Sequence, residues 1–119
     1  ADLLPTLAAA AGAEVPAGVD GRNLLPLFRG EGEIGVRPLF FEHFGSRAVR
    51  QGRWKLVADA GAPWQLYDLR TDRAELRGLS ATHPDTAARL AALYDTWADA
   101  AGVLPLDTLR ARWAAAHPE

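Results

Sequence analysis

Hydrophobic residues at the N-terminus recur at helical spacing. Leu3, Leu4 and Leu7 share one face, Asp2 before them suits an N-cap, and Gly12 suits a left-handed C-cap. The spacing therefore predicts a helix over residues 3–11.

The next segment, 13–35, is rich in Gly and Pro, and its centre reads DGRNLLPLF at 20–28. Asp-Gly marks a turn, and the apolar run after it predicts a single helical turn held against another surface rather than a free linker. We therefore expect 1–35 to form a helix and docking segment, and 36–119 to form a separate subdomain.

Between residues 37 and 69 the hydrophobic period changes to two. In one segment Trp54 and Leu56 alternate with Lys55 and Val57, which is typical of a sheet with one face partly solvated. Short Gly-containing breaks separate the alternating segments, as antiparallel hairpins require. The predicted strands are 39–44, 47–51, 54–58 and 64–69.

The last third of the chain returns to helical spacing. An apolar stripe follows Pro84 and stops at Gly102, and a shorter helix is expected over 106–115 with Leu109 and Trp113 on one side. The stripe needs an apolar partner, which the covered face of the sheet supplies. The predicted fold class is α+β: a four-stranded antiparallel sheet packed against a long C-terminal helix, with an N-terminal helix and docking segment. The stripe consists of Leu90, Leu93, Tyr94, Trp97 and Ala101.

Composition excludes several classes of function. The chain has 119 residues, is 49% hydrophobic and carries a net charge of −2, so it offers one modest core and no electrostatic footprint for nucleic acid or an anionic membrane. It has no cysteine, which excludes a disulfide framework, a thiolate zinc site and a cysteine nucleophile. It also has no Met, and its first helix opens at once. We therefore expect a fragment or a processed product.

Four ordered stretches stand out beyond this pattern. They are DLLPTL at 2–7, DGRNLLPL at 20–27, FEHFGSRAVR with GRWKLV across 41–57, and LYDL at 66–69 with Asp72 and Glu75 after it. Each is weak alone, but in this order they resemble the C-terminal end of arylsulfatases and related sulfatases of the alkaline-phosphatase superfamily. The chain departs from the family pattern at three turn positions: Ser46 and Gly78 each replace Asn, and Arg73 replaces Pro.

The resemblance implies chemistry that this chain does not hold. Such sulfatases carry a Cys/Ser-x-Pro-x-Arg motif, whose first residue becomes formylglycine, and a calcium or magnesium site built from Asp and Asn. Here cysteine is absent and neither Ser46 nor Ser80 begins such a motif. We expect no catalytic residue, metal or cofactor in this chain. The resemblance places the metal and formylglycine in a missing N-terminal sulfatase domain, which is the expected partner. The chain would then be a C-terminal fragment that supports this domain and forms part of the pocket rim.

Glu42, His43 and Arg47 are the candidate rim residues. They flank the Gly45-Ser46 turn, and the resemblance directs this hairpin towards the active-site rim. A His or Arg there could bind a sulfate ester through charge-assisted hydrogen bonds. The alternative is a surface hairpin in which Glu42 and Arg47 pair across the strands.

Three other groups of residues have simpler interpretations. Arg50, Arg53 and Lys55 alternate along the strands and are expected on one solvated face rather than at a nucleic-acid site. Asp72 lies in a loose acidic spacing that favours turn formation over a calcium loop. The tryptophans are expected to pack in the core rather than form a carbohydrate platform. They are Trp54, Trp64, Trp97 and Trp113.

A function of another class stays open. The sheet and the Trp-bearing helices could serve as a non-enzymatic α+β interaction module. The apolar helices at 3–11 and 24–28 would expose a sizeable apolar patch, which also permits self-association.

Overall fold

The computed structural model describes residues 1–117. Backbone contacts divide it into two units, Ala1–Val36 and Arg37–Glu119. The first unit contains helix α1 (Leu3–Ala10) and the single turn α2 (Leu25–Phe28). Both helices of this unit were predicted from the sequence.

Asp2 stands at the N-cap position of α1, as predicted, but its side chain makes no capping hydrogen bond to the helix. Its Oδ1 instead accepts a hydrogen bond of 2.9 Å from the backbone N–H of Arg22. The segment that carries Arg22 runs very close to the N-terminus, since a Cβ at Gly21 would lie 2.1 Å from the carbonyl oxygen of Ala1. Only glycine fits that approach.

The second unit contains a four-stranded antiparallel meander in the order β1-β2-β3-β4. Its registers pair Phe40 with Val49 and Val49 with Leu56, so these three residues lie side by side across the sheet. The predicted sheet is confirmed. The strands are β1 (Leu39–His43), β2 (Ser46–Gln51), β3 (Trp54–Ala58) and β4 (Gln65–Asp68).

Helix α3 (Pro84–Ala101) packs on β2 and β3, ends at the left-handed Gly102, and is followed by α4 (Leu106–Ala116). Its contact face is the stripe that the sequence predicted, since Leu90 and Tyr94 are buried in the core. The predicted α+β class is therefore confirmed. The buried core cluster is Val49, Leu56, Leu66, Leu90 and Tyr94.

Three of the four tryptophans pack against this core as expected, and one does not. Trp97 stacks on Phe40 with ring centroids 5.0 Å apart, and Trp54 and Trp64 are also partly buried against the cluster. Trp113 is 68% exposed, so its predicted core position was wrong. It lies on α4, which contributes no residue to the core cluster within residues 1–117.

Candidate functional site

The β1–β2 hairpin carries the three residues that the sequence singled out, and its register separates their side chains. In the strand register, Glu42 stands opposite Arg47 and His43 stands opposite Ser46. Because side chains alternate along a strand, Glu42 and Arg47 leave the sheet on the face that α3 covers. His43 leaves on the opposite face, which we call the open face.

Glu42 is committed to the turn of this hairpin. Its Oε1 accepts a hydrogen bond of 2.9 Å from the backbone N–H of Gly45. The turn residues Phe44 and Gly45 have φ of 48° and 85°, in the left-handed region. Gly45 also packs against α4, since an added Cβ would lie 3.0 Å from the side chain of Leu106. The carboxylate of Glu42 therefore shapes the turn.

Arg47 lies over an aromatic ring on the covered face. Its guanidinium carbon is 4.3 Å from the ring centroid of Trp64, and Trp64 meets Tyr94 edge to face at 5.4 Å. Burial raises the pKa of the Tyr94 hydroxyl, with a further contribution from the charge of Glu42. A cation–π contact of this kind holds a guanidinium in one place while leaving its N–H groups free to bind an acceptor.

His43 lies exposed beside Phe44, with the two rings edge to face at 4.8 Å. Although the side chains diverge, all three candidates line one shallow depression of about 290 Å³ at the end of the hairpin. Its other lining residues are Phe41, Ser46, Ala48 and Val57. Glu42 and Arg47 also line a second cavity, of about 350 Å³, together with Tyr94 and Asp95 of α3.

A larger groove, of about 550 Å³, crosses the open face, and we call it the open-face groove. This groove was not predicted from the sequence, although alternation along the strands alone places Arg50 and Lys55 on this face. Arg53, in the turn before β3, is exposed as expected, and its guanidinium lies over Trp54 and 3.3 Å from the carboxylate of Asp68. The open-face groove is lined by Phe41, Ala48, Arg50, Lys55, Val57, Leu69, Arg73 and Glu75.

Asp72, in the loop after β4, binds backbone N–H groups through its carboxylate. Asp72 accepts hydrogen bonds from the N–H groups of Leu76 and Arg77 at 3.1 and 2.8 Å. These bonds hold the pKa of its carboxyl below the ordinary value of 3.8. Asp72 therefore forms a turn, as predicted.

Within residues 1–117, no three His, Asp or Glu side chains are grouped as metal ligands. None of the helices in this part of the chain is long and apolar enough to span a membrane.

Comparison with known proteins identifies the relatives of this chain. It is 36% identical to choline-sulfatase of Rhizobium meliloti in an alignment of 88 residues, and the match covers 66% of this chain. It is 31% identical to arylsulfatase K of Danio rerio in an alignment of 97 residues, and that match covers 71% of this chain. The chain is homologous to sulfatases. No family model matches it.

Structural comparison agrees with this sulfatase homology. The solved structure of a 2-O GAG sulfatase matches 86% of the chain with a TM-score of 0.69 and 31% identity. The chain covers 25% of that structure, 17% of choline-sulfatase and 18% of arylsulfatase K. It therefore corresponds to less than a fifth of these curated relatives and a quarter of the solved one.

Proposed function

We propose that this chain is the C-terminal part of a sulfatase of the arylsulfatase type, and that it completes an enzyme that hydrolyses sulfate esters. The main support for this proposal is that the chain is homologous to sulfatases but covers only a small share of each relative. In this role the chain supports the catalytic domain. Formylglycine and a calcium or magnesium ion belong to that domain, where they supply the nucleophile and stabilise charge.

Exposed apolar side chains in the first unit support a docking role. Leu3 and Leu7 of α1 are 74% and 65% exposed, and Phe28 of α2 is 70% exposed. Large apolar residues grouped on two short helices are typical of a surface that a partner covers. We assign residues 1–35 to contact with the catalytic domain, and 36–119 to the C-terminal subdomain.

The end of the β1–β2 hairpin is the proposed contribution to the pocket rim. Arg47, held over Trp64, presents a cation, and His43 presents an exposed imidazole. Either group could donate a charge-assisted hydrogen bond to a sulfate oxygen. Glu42 contributes by fixing the turn through Gly45.

The coding sequence upstream of Ala1 gives the first test. A Cys/Ser-x-Pro-x-Arg motif in the same reading frame is the expected finding. An in-frame start codon immediately before Ala1 would contradict the proposal, because the chain would then be a whole translation product without a catalytic centre.

The second test measures hydrolysis of an aryl sulfate. The isolated chain should give no turnover, and the upstream region should need this chain for full activity. In the joined protein, Arg47→Ala should raise KM if Arg47 contacts the substrate. Trp64→Leu should do the same to a smaller extent by releasing the guanidinium, whereas Arg112→Ala on α4 should leave KM unchanged. Metal-dependent turnover by this chain alone would overturn the assignment.

A non-enzymatic interaction module remains the alternative, and self-association is its simplest form. The same exposed residues, Leu3, Leu7 and Phe28, would then pair with a second copy. Sedimentation equilibrium of the chain with and without the upstream region separates the two functions. Self-association that persists after the upstream region is joined would favour the module.

A further inference from the structure

The open-face groove carries two positive charges that nothing in the described chain neutralises. Arg50 and Lys55 are direct cross-strand partners, and like charges in that position repel. Glu75 neutralises Lys55 through a contact of 2.6 Å. Within residues 1–117, the side chains of Arg50 and Arg73 have neither a hydrogen bond nor an ion pair. In a chain of net charge −2, this groove is a local site of positive charge.

The floor of the same groove is apolar. Phe41 is 56% exposed, and the register places Ala48 and Val57 in one row beside it. An exposed aromatic ring in a concave surface offers a flat face to the C–H groups of another ring. The groove thus combines a flat apolar surface with two guanidinium groups at its edge.

We propose that the open-face groove binds a sulfated saccharide, with Phe41 against the apolar face of a sugar ring and Arg50 and Arg73 on its sulfate groups. A guanidinium group presents two parallel N–H donors, which can bind two oxygens of one anionic group. The choice of sulfate over other anions rests on the proposed sulfatase function. The size of the groove, about 550 Å³, lies within the range for small-molecule sites.

An acidic protein surface is the competing occupant, and size argues against it. A stable protein interface takes about 20–30 residues from each partner. The open-face groove has eight lining residues and a volume of about 550 Å³. A ring that carries anionic groups matches a site of that size.

Titration of the chain with a heparin-derived tetrasaccharide, followed by backbone amide NMR, tests the proposal. We expect saturable shifts at Phe41, Arg50 and Val57, and binding at least tenfold weaker for the chemically desulfated tetrasaccharide. Arg50→Gln and Arg73→Gln should each weaken binding by about tenfold, as expected for loss of a charged hydrogen bond. Arg112→Gln removes the same charge from the exposed side of α4 and should leave binding unchanged.

Three results would overturn the proposal: no saturable shift at the groove, equal weakening by Arg112→Gln, or tighter binding of poly-L-glutamate than of the tetrasaccharide at Phe41 and Arg50. The last would assign the groove to an acidic protein segment. The titration needs no turnover. Failure to bind therefore leaves the proposed sulfate-ester hydrolysis standing, and failure of the upstream motif test leaves the binding result valid.

Discussion

The hydroxyl of Thr6 accepts a hydrogen bond of 2.8 Å from the backbone N–H of Leu24. The same hydroxyl donates to the carbonyl oxygen of Asp2 at 2.6 Å, so Thr6 links the first turn of α1 to the segment before α2. Thr6 is 6% exposed. Two sequence motifs that stand 18 residues apart therefore hold each other in place through one buried oxygen.

Replacing Thr6 with Val should open this link. The substitution keeps the shape but leaves the N–H of Leu24 without its acceptor, at a cost of about 1–3 kcal/mol in local stability. Hydrogen exchange of the Leu24 amide should accelerate accordingly. Thr6→Ser retains the hydroxyl and should preserve protection, and unchanged exchange in Thr6→Val would contradict the assigned role.

Truncation of Leu90 tests the packing of α3 on the sheet. Leu90 is fully buried in the core cluster, so Leu90→Ala should lower the free energy of unfolding by about 2–5 kcal/mol. Urea unfolding followed by tryptophan fluorescence measures the loss. Leu76, 81% exposed, provides the matched control, since Leu76→Ala should change stability by less than about 0.5 kcal/mol. Equal effects of the two substitutions would refute this packing.

Asp68 tests the end of β4. It is 6% exposed, accepts a hydrogen bond from the N–H of Arg70 at 3.1 Å, and pairs with Arg53. Asp68→Ala should lower the free energy of unfolding by about 1–3 kcal/mol in the same urea assay, because the N–H of Arg70 and the guanidinium of Arg53 both lose their acceptor. Asp68→Asn keeps an acceptor and should cost less. Asp99→Ala, at an exposed position of α3, should be nearly neutral, and a similar loss there would count against the assignment.

The carboxyl of Asp72 should make the loop after β4 sensitive to acid. Its pKa is lowered in the fold by the N–H groups of Leu76 and Arg77, so the ionised form is favoured by folding. The stabilisation is fully present above the ordinary value of 3.8 and is lost as the pH falls through the lowered pKa. Carboxyl carbon NMR should give a midpoint below 3.8, with the Leu76 and Arg77 amides shifting together. Asp72→Asn should abolish this coupled shift, and a midpoint at or above the ordinary value would contradict the hydrogen-bonded loop.

Local chain chemistry was sufficient to predict most of the elements. Alternation in 54–58 and a Gly in each break predicted the meander, since side-chain direction in a strand has a period of two. The Leu90 and Tyr94 spacing likewise predicted the buried face of α3. The exposure of Trp113 could not be predicted in this way, because an apolar stripe on a helix does not identify the surface that covers it.

The candidate site was predicted in composition but not in arrangement. Glu42 and His43 are adjacent in one strand, so alternation alone already placed them on opposite faces, and sequence reasoning overlooked that signal. The contact of Arg47 with Trp64 had no such signal, because it joins residues on β2 and on the segment before β4.

The sequence by itself determined the elements, their order and the turns, because these depend on neighbours within a few residues. Tertiary structure alone decided which side chains share a surface. The contact of Thr6 with Leu24 and that of Arg47 with Trp64 form only when distant segments pack together. The same is true of the groove that Arg73 lines with Phe41 and Arg50. The resemblance to sulfatases was readable in the ordered motifs. The charge left uncompensated on the open face depended on strand register and on where the loop after β4 returned.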